Sequence, residues 1–224
     1  MKIFVISRRQ DGARREALVA QLRARRLAFE LVEAVDGRAL GCAEKRRLAD
    51  FPKMRRVLRV LSDGEIGCAA SHQTVYRRMR AEGLPAACVL EDDARLVGDF
   101  AREVGGEGPG GAGGEGECRV RLLTDRRRGV VWTVGYVITR AGAEAMLRYN
   151  TPIWRVADCW ESLVRRGRLA LDWSASACVE PDGRLPSVIT PEGRPPHRQP
   201  LAMDAWSRAK RAFWRLWYGI GLKV

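Results

Sequence analysis

The chain has 224 residues, 46% hydrophobic and 30% charged, a balance ordinary for a globular protein that excludes wholesale disorder. Forty Lys and Arg against 27 Asp and Glu leave a formal net charge of +13. That excess calls for an anionic partner (nucleic acid, an anionic membrane surface or phosphorylated substrates) or is a solvated arginine surface.

The six cysteines form no CxxC pair and show no regular spacing, which argues against a zinc ribbon or a disulfide framework and fits a reducing cytoplasm. Cys68 and Cys88 lie in apolar stretches and read as buried small hydrophobes. The apolar run at the N-terminus is too short for a signal peptide, and no other stretch is long enough to cross a bilayer.

Ile3 to Ile6 read as a buried central strand. Gln10-Asp11-Gly12 breaks the chain, and Ala13 to Arg26 has helical spacing, with Leu18 and Leu22 on one face and arginines on the other. Phe29 to Val35 reads as a second strand closed by the turn signal Asp36-Gly37, which completes a β-α-β opening typical of nucleotide-binding α/β folds. Residues 38 to 60 are basic and helical in part. Ser62 or Asp63 caps a helix carrying Ile66, Ala69, Tyr76 and Met79 on one face and ending near Glu82-Gly83. Ala86 to Leu90 is a short apolar strand that runs into Glu91-Asp92-Asp93.

Gly105 to Gly116 is nearly all glycine and glutamate and reads as a flexible loop. A strand over Val130 to Thr139, a helix from Ala141 to about Tyr149 capped by Thr139, a helix over Ala157 to Arg165, and one or two strands within Leu169 to Val179 follow. The expected organisation is one α/β domain over residues 1–190, a Pro-rich linker over 191–200 and a basic amphipathic tail helix within 201–224.

The acidic cluster is the feature that points to chemistry. Three adjacent carboxylates repel one another unless a cation or solvent compensates, and the carboxyl end of a parallel strand is where α/β folds bind ligands. Alternate residues of an extended chain face the same way, so Glu91 and Asp93 are expected to share one divalent ion while Asp92 points elsewhere. Their hard oxygens suit Mn²⁺ or Mg²⁺, bridging a diphosphate and stabilising a UDP leaving group. The plainer reading is an acidic turn after a strand.

The segments VISRRQDGARRE, EAVDGRAL, LSDGEIGCAASHQTVYRRM, ACVLEDDARLVGDF, GYVITRAGAEAML and PIWRVADCWESL occur in that order. Together they resemble glycosyltransferase family 25, the lipopolysaccharide and lipooligosaccharide galactosyltransferases related to the collagen galactosyltransferases, over about residues 1 to 190. The resemblance implies a GT-A-like fold with a central, mostly parallel sheet, a UDP-sugar donor (UDP-galactose most often), Mn²⁺, and inverting transfer to a lipopolysaccharide core or other glycan acceptor. It implies Glu91, Asp92 and Asp93 as the metal and diphosphate motif, and Asp36 as a nucleoside ligand through uracil N3 or the ribose hydroxyls, against an ordinary Asp-Gly turn. The departure from the family is the glycine-rich Gly105 to Gly116, where members carry more ordered structure, and it leaves a weakened or inactive relative as the alternative.

Arg8, Arg14 and Arg15, at the end of the first strand and the start of the first helix, suit a diphosphate, with a solvated helix face as the plain reading. Ser71 and His72 are expected in a donor-site or structural role. Asp158, or Glu161 on the same helix face, is the candidate general base, against an acid that only complements the helix dipole. A nucleic-acid-binding module fits the charge alone, lacks a recognisable motif and leaves the acids unexplained, so no nucleic-acid partner is expected.

In the tail, Trp206, Ala209, Phe213, Trp217 and Ile220 share one face, opposite Arg208, Arg211 and Arg215. Such a helix suits the headgroup region of an anionic membrane, placing the protein in the cytoplasm, peripheral on the inner membrane; packing on the catalytic domain is the alternative. Removal of residues 201–224 is expected to release the protein from anionic liposomes in a flotation assay, and unchanged binding would refute membrane attachment.

Overall fold

The computed structural model describes residues 1–105, 116–126 and 133–183. Most of the glycine-rich segment, the Pro-rich linker and the predicted tail helix lie outside the described residues, as do residues 130–132 of the predicted 130–139 strand.

Strand β1 (Lys2–Ser7) lies between β2 (Glu30–Glu33) and β3 (Ala86–Glu91), parallel to both. Beyond β3 come β6 (Gly135–Thr139), β5 (Arg119–Leu122) and β7 (Ala170–Trp173), which gives a six-stranded sheet of order β2-β1-β3-β6-β5-β7. Only β6 runs against the others, so the fold is mixed α/β with a mostly parallel central sheet. A small antiparallel pair, β4 (Ala94–Leu96) with β8 (Val179–Pro181), flanks it.

The period-2 alternation of β1 sends its side chains to two different cores. Ile3 and Val5 pack with Leu18 and Leu22 of α1 (Gly12–Ala24) and Phe100 of α5 (Phe100–Gly105). Phe4 and Ile6 pack on the opposite face with Val75, Tyr76 and Met79 of α4 (Asp63–Ala81) and Met146 of α6 (Arg140–Asn150). Leu18 and Leu22 are fully buried, each contributing roughly 1.5–3 kcal/mol of transfer free energy. A third cluster joins α3 (Phe51–Arg56), through Met54, to Ile66 and Ala69 of α4 and to Trp154. Between Gly37 and α3 lies α2 (Cys42–Leu48), so the basic stretch 38 to 60 is helical in part.

The predicted caps are present. Ser62 Oγ accepts from the Glu65 amide at 3.2 Å while Glu65 accepts from the Ser62 amide at 2.9 Å, a reciprocal capping box that starts α4. Thr139 Oγ1 likewise accepts from the Gly142 amide at 3.1 Å to start α6.

Several expectations are corrected. β2 and β6 are shorter than the stretches 29–35 and 130–139, and β4, α5 and β5 had no clear signal because each is six residues or fewer. The predicted helix over 157–165 reduces to α7 (Glu161–Val164). Upstream of it the chain is held by a side chain instead of a helical ladder: Asn150 Oδ1 accepts from the amides of Trp154 and Arg155, both at 3.0 Å. Asp158 therefore sits in a turn before α7, and Asp158 and Glu161 do not share a helix face.

A close backbone approach brings the chain just after β2 onto the first turns of α4. A Cβ on Gly67 would lie 2.5 Å from the Val35 carbonyl oxygen and 2.6 Å from the Gly37 nitrogen, and one on Gly37 would lie 1.8 Å from the Asp63 carbonyl oxygen. Both positions admit only glycine because the obstacles are backbone. Gly67→Ala is expected to lower the unfolding free energy by about 1–3 kcal/mol in chemical denaturation, the usual cost of overpacking.

Candidate active-site cleft

β1, β2 and β3 are parallel, so their carboxyl ends open at one edge of the sheet. The chain leaves β1 toward β2 on one side, while β3 lies on the other, and such a switch point is where α/β sheets bind ligands. A cleft at this edge is lined by Arg8, Arg14, Asp36, Ser71, His72, Glu91, Asp92 and Asp93, together with Asp11, Gly37, Gly64 and Cys68 among others. Eight of the eleven residues singled out from the sequence thus meet in one place.

The remaining three do not line it. Arg15 follows Arg14 on α1, and consecutive helical residues diverge by about 100°, so Arg14 turns inward while Arg15 is half-exposed beside it. Glu161 is engaged by Arg165 at 2.6 Å. Asp158 is near enough to Cys68 for its charge to act on that thiol.

Arg14 is buried, contrary to a solvated helix face. Its Nε donates to Asp92 Oδ1 at 2.9 Å, and its Nη2 lies 3.1 Å from Asp93 Oδ2. Asp92 was expected to point away from the motif; instead it shares Arg14 with Asp93. The reason is local: the extended chain ends at Glu91 and turns at residues 92–93, so strand alternation stops applying there.

Glu91 faces α4. Its Oε1 is 3.0 Å from His72 Nε2, and since an ionised carboxylate only accepts, Nε2 carries the proton. On the other side of the ring Nδ1 is 2.6 Å from the Tyr136 hydroxyl, which is 2.9 Å from the Tyr76 hydroxyl. Burial opposes ionisation of Glu91, but the His72 hydrogen bond and charge, the Thr133 hydroxyl and Arg14 outweigh it and hold its pKa below the ordinary value.

Asp93 is the opposite case. Burial first, then the charge of Glu91, push its pKa up to about 6 despite Arg14. Its Oδ1 is buried and has no hydrogen-bond partner. Two carboxylates close enough to repel, one with an orphaned oxygen, form a hard-oxygen donor set short of positive charge. That fits a divalent cation of the Mn²⁺ or Mg²⁺ kind, with Glu91 and Asp93 as the residues that would hold it.

At the Asp36 end of the cleft, Arg8 forms a two-point ion pair with Asp11, at 2.7 and 3.0 Å, and reaches Asp36 at 3.2 Å. Asp36 also accepts from Gln10 at 2.9 Å and the Arg38 amide at 3.1 Å. Burial opposes its ionisation, but these donors outweigh it and keep the pKa low. Ser71 has a structural part: its hydroxyl donates to the Gly67 carbonyl at 2.7 Å and accepts from the Val35 amide at 2.8 Å, fastening β2 to α4.

Cys68 is the residue misread from the sequence. It is half-buried on the cleft wall, with Sγ 3.9 Å from Glu91 Oε1, whereas Cys88 is buried as expected. Burial, then Glu91, Asp158 and Asp93, push its thiol pKa well up. The overlooked signal was the spacing of Cys68 and His72, four residues apart on one helix face.

A mixed α/β domain whose acids and arginines converge where three parallel strands end is of the ligand-binding α/β class. Residues 1–105 match the family model "Glycosyltransferase family 25 (LPS biosynthesis protein)". Among relatives, the human inactive glycosyltransferase 25 family member 3 is 34% identical over 44% of this chain and 17% of its own length. Human procollagen galactosyltransferase 2 is 32% identical over 46% of the chain and 17% of its own length. Procollagen galactosyltransferase 1 of Danio rerio is 27% identical over 66% of the chain and 28% of its own. The chain thus spans less than a third of these relatives. Among solved structures, galactosyltransferase LgtC in complex with donor and acceptor sugar analogs is 10% identical, with a TM-score of 0.39 over 76% of this chain and 73% of that one.

The raised pKa of Asp93 has a consequence for stability. Between its ordinary value of 3.8 and about 6, the folded state binds more protons at this group than the unfolded state. Stability from this group is present at low pH and is lost as pH rises through the folded value. Asp93→Asn, neutral at every pH, is therefore expected to raise the unfolding free energy by roughly 1–2 kcal/mol above that window and to change it little below. Thermal melts across pH check this, and a gain confined to acid pH would contradict it.

Proposed function

We propose that the chain is a metal-assisted glycosyltransferase that takes a hexose, galactose in the leading reading, from a UDP-sugar. The observation that carries this is the cluster at the end of β3: Glu91 and Asp93 with an uncompensated carboxylate oxygen, in the same cleft as Arg8, Arg14 and Asp36. The family match over residues 1–105 supports the same reading.

In this reading Glu91 and Asp93 hold the ion and face the donor's diphosphate. A bound divalent cation supplies charge stabilisation to the departing UDP. Arg14 keeps Asp92 and Asp93 in place, and the guanidinium charges of Arg14 and Arg8 favour phosphate oxygens nearby. Asp36, ionised and fixed by Gln10, Arg8 and the Arg38 amide, accepts from uracil N3–H or a ribose hydroxyl. Asp158, which lies outside the cleft lining but near Cys68, is the candidate from the sequence for taking the acceptor hydroxyl's proton, which would give inversion. The acceptor is a lipopolysaccharide, lipooligosaccharide or other lipid-linked glycan. Peripheral attachment to the cytoplasmic face of the inner membrane is supported by the Trp and Arg pattern of residues 201–224.

A second reading is an inactive relative that binds the nucleotide without turnover. It is favoured by Arg14, whose guanidinium already supplies a cation to Asp92 and Asp93. The human relative named inactive shows that such members occur in the family.

Mn²⁺-dependent hydrolysis of UDP-galactose is expected, falling by at least roughly 100-fold in Asp93→Ala, the few kcal/mol that a metal's charge stabilisation contributes. UDP-sugar binding without hydrolysis would select the inactive reading. Absence of UDP-sugar binding with and without Mn²⁺, measured by thermal shift, would overturn both.

A further inference from the structure

Cys68 and His72 lie one turn apart on α4, on the face directed at the end of β3, and Glu91 comes up against both. The donor atoms of the three residues all lie within 4.8 Å of one another. His72 Nε2 is 3.0 Å and Cys68 Sγ 3.9 Å from Glu91 Oε1. Tetrahedral zinc, with bonds of about 2.0 Å to nitrogen or oxygen and 2.3 Å to sulfur, separates neighbouring donors by roughly 3.3–3.6 Å. The observed separations straddle that spacing, so small side-chain rotations seat an ion.

The donor set differs in kind from the Glu91–Asp93 pair. Carboxylate oxygens alone suit hard cations, while a thiolate with an imidazole selects a softer ion such as zinc. The support behind the ligands is also in place. The Tyr136 hydroxyl, backed by Tyr76, holds His72 Nδ1 at 2.6 Å and turns Nε2 toward the cluster, the outer-shell arrangement that orients metal-binding histidines. All three donors line the cleft, which gives an ion an entry path and a solvent ligand.

We propose that Cys68, His72 and Glu91 form a binding site for a thiophilic divalent ion of the zinc type, separate in chemistry from the all-oxygen pair and sharing Glu91 with it. On binding, the metal gains bonds to Sγ, Nε2 and a Glu91 oxygen, and the Cys68 thiol loses its proton to solvent. For His72 to ligate through Nε2, that nitrogen releases its proton to solvent and Nδ1 takes one up, facing the Tyr136 hydroxyl. Since Glu91 belongs to both donor sets, zinc excludes the hard cation from Glu91; this one consequence rests on the glycosyltransferase reading.

The test is a Co²⁺ titration of the full chain without nucleotide, followed by absorption. Expected is a thiolate-to-cobalt charge-transfer band that saturates at one ion per chain and is bleached by Zn²⁺. It should be lost in Cys68→Ser and Cys68→Ala and retained in Cys42→Ser and Asp93→Asn. Tyr136→Phe should weaken Co²⁺ binding on the order of 10–100-fold. No charge-transfer band in the wild-type chain, or a band that survives both Cys68 substitutions, would overturn the site. UDP-sugar binding with Mn²⁺, measured in parallel on the wild type, reports on the transferase reading independently.

Discussion

Much of the cleft depends on one buried ion pair. Three carboxylates are gathered where β3 ends, and without a cation their repulsion and burial would push the turn apart. Arg14 supplies that cation from α1, a helix packed on the opposite side of β1 from α4. It ties the first helix to the end of the third strand and leaves Asp93 only partly compensated. Removing one partner of such a pair typically costs about 3–5 kcal/mol, because the other charge stays buried. The same contact thus serves folding and leaves over the acidity that a metal would use.

The second constraint is steric. Gly37 and Gly67 let the backbone after β2 touch the start of α4, and Ser71 adds a hydrogen bond to each side of that contact. With the helix seated this way, Cys68 and His72 face Glu91 while Tyr76 reaches Tyr136. The segments around Asp36-Gly37 and Gly64 to His72 are therefore halves of one joint. A small shift of α4 would move the cleft wall and the hydrogen bond that orients His72 together.

Stability and chemistry pull in opposite directions at Asp93. A carboxylate with a raised pKa beside an ionised Glu91 is a cost to the folded chain, and an orphaned buried oxygen adds to it. Glu91 escapes this cost because His72 and Thr133 donate to it. Neighbouring acids of one motif thus have different environments, a common property of sites that bind or react.

The alternating apolar run of β1, the strand before the acids, and the capping residues Ser62 and Thr139 were all legible from the amino-acid order, since each is set by neighbours a few residues away. So was the convergence of Arg8, Asp36 and the acidic motif, because parallel strands bring their carboxyl ends to one edge. Short elements such as β4 and β5 escaped because so few residues carry no period. The inward Arg14 and the cleft-facing Cys68 were decided only by tertiary structure. Each depends on a partner far along the chain, with Arg14 and Asp92 separated by 78 positions, and local pattern carries no information about which distant charge or hydroxyl a side chain will meet.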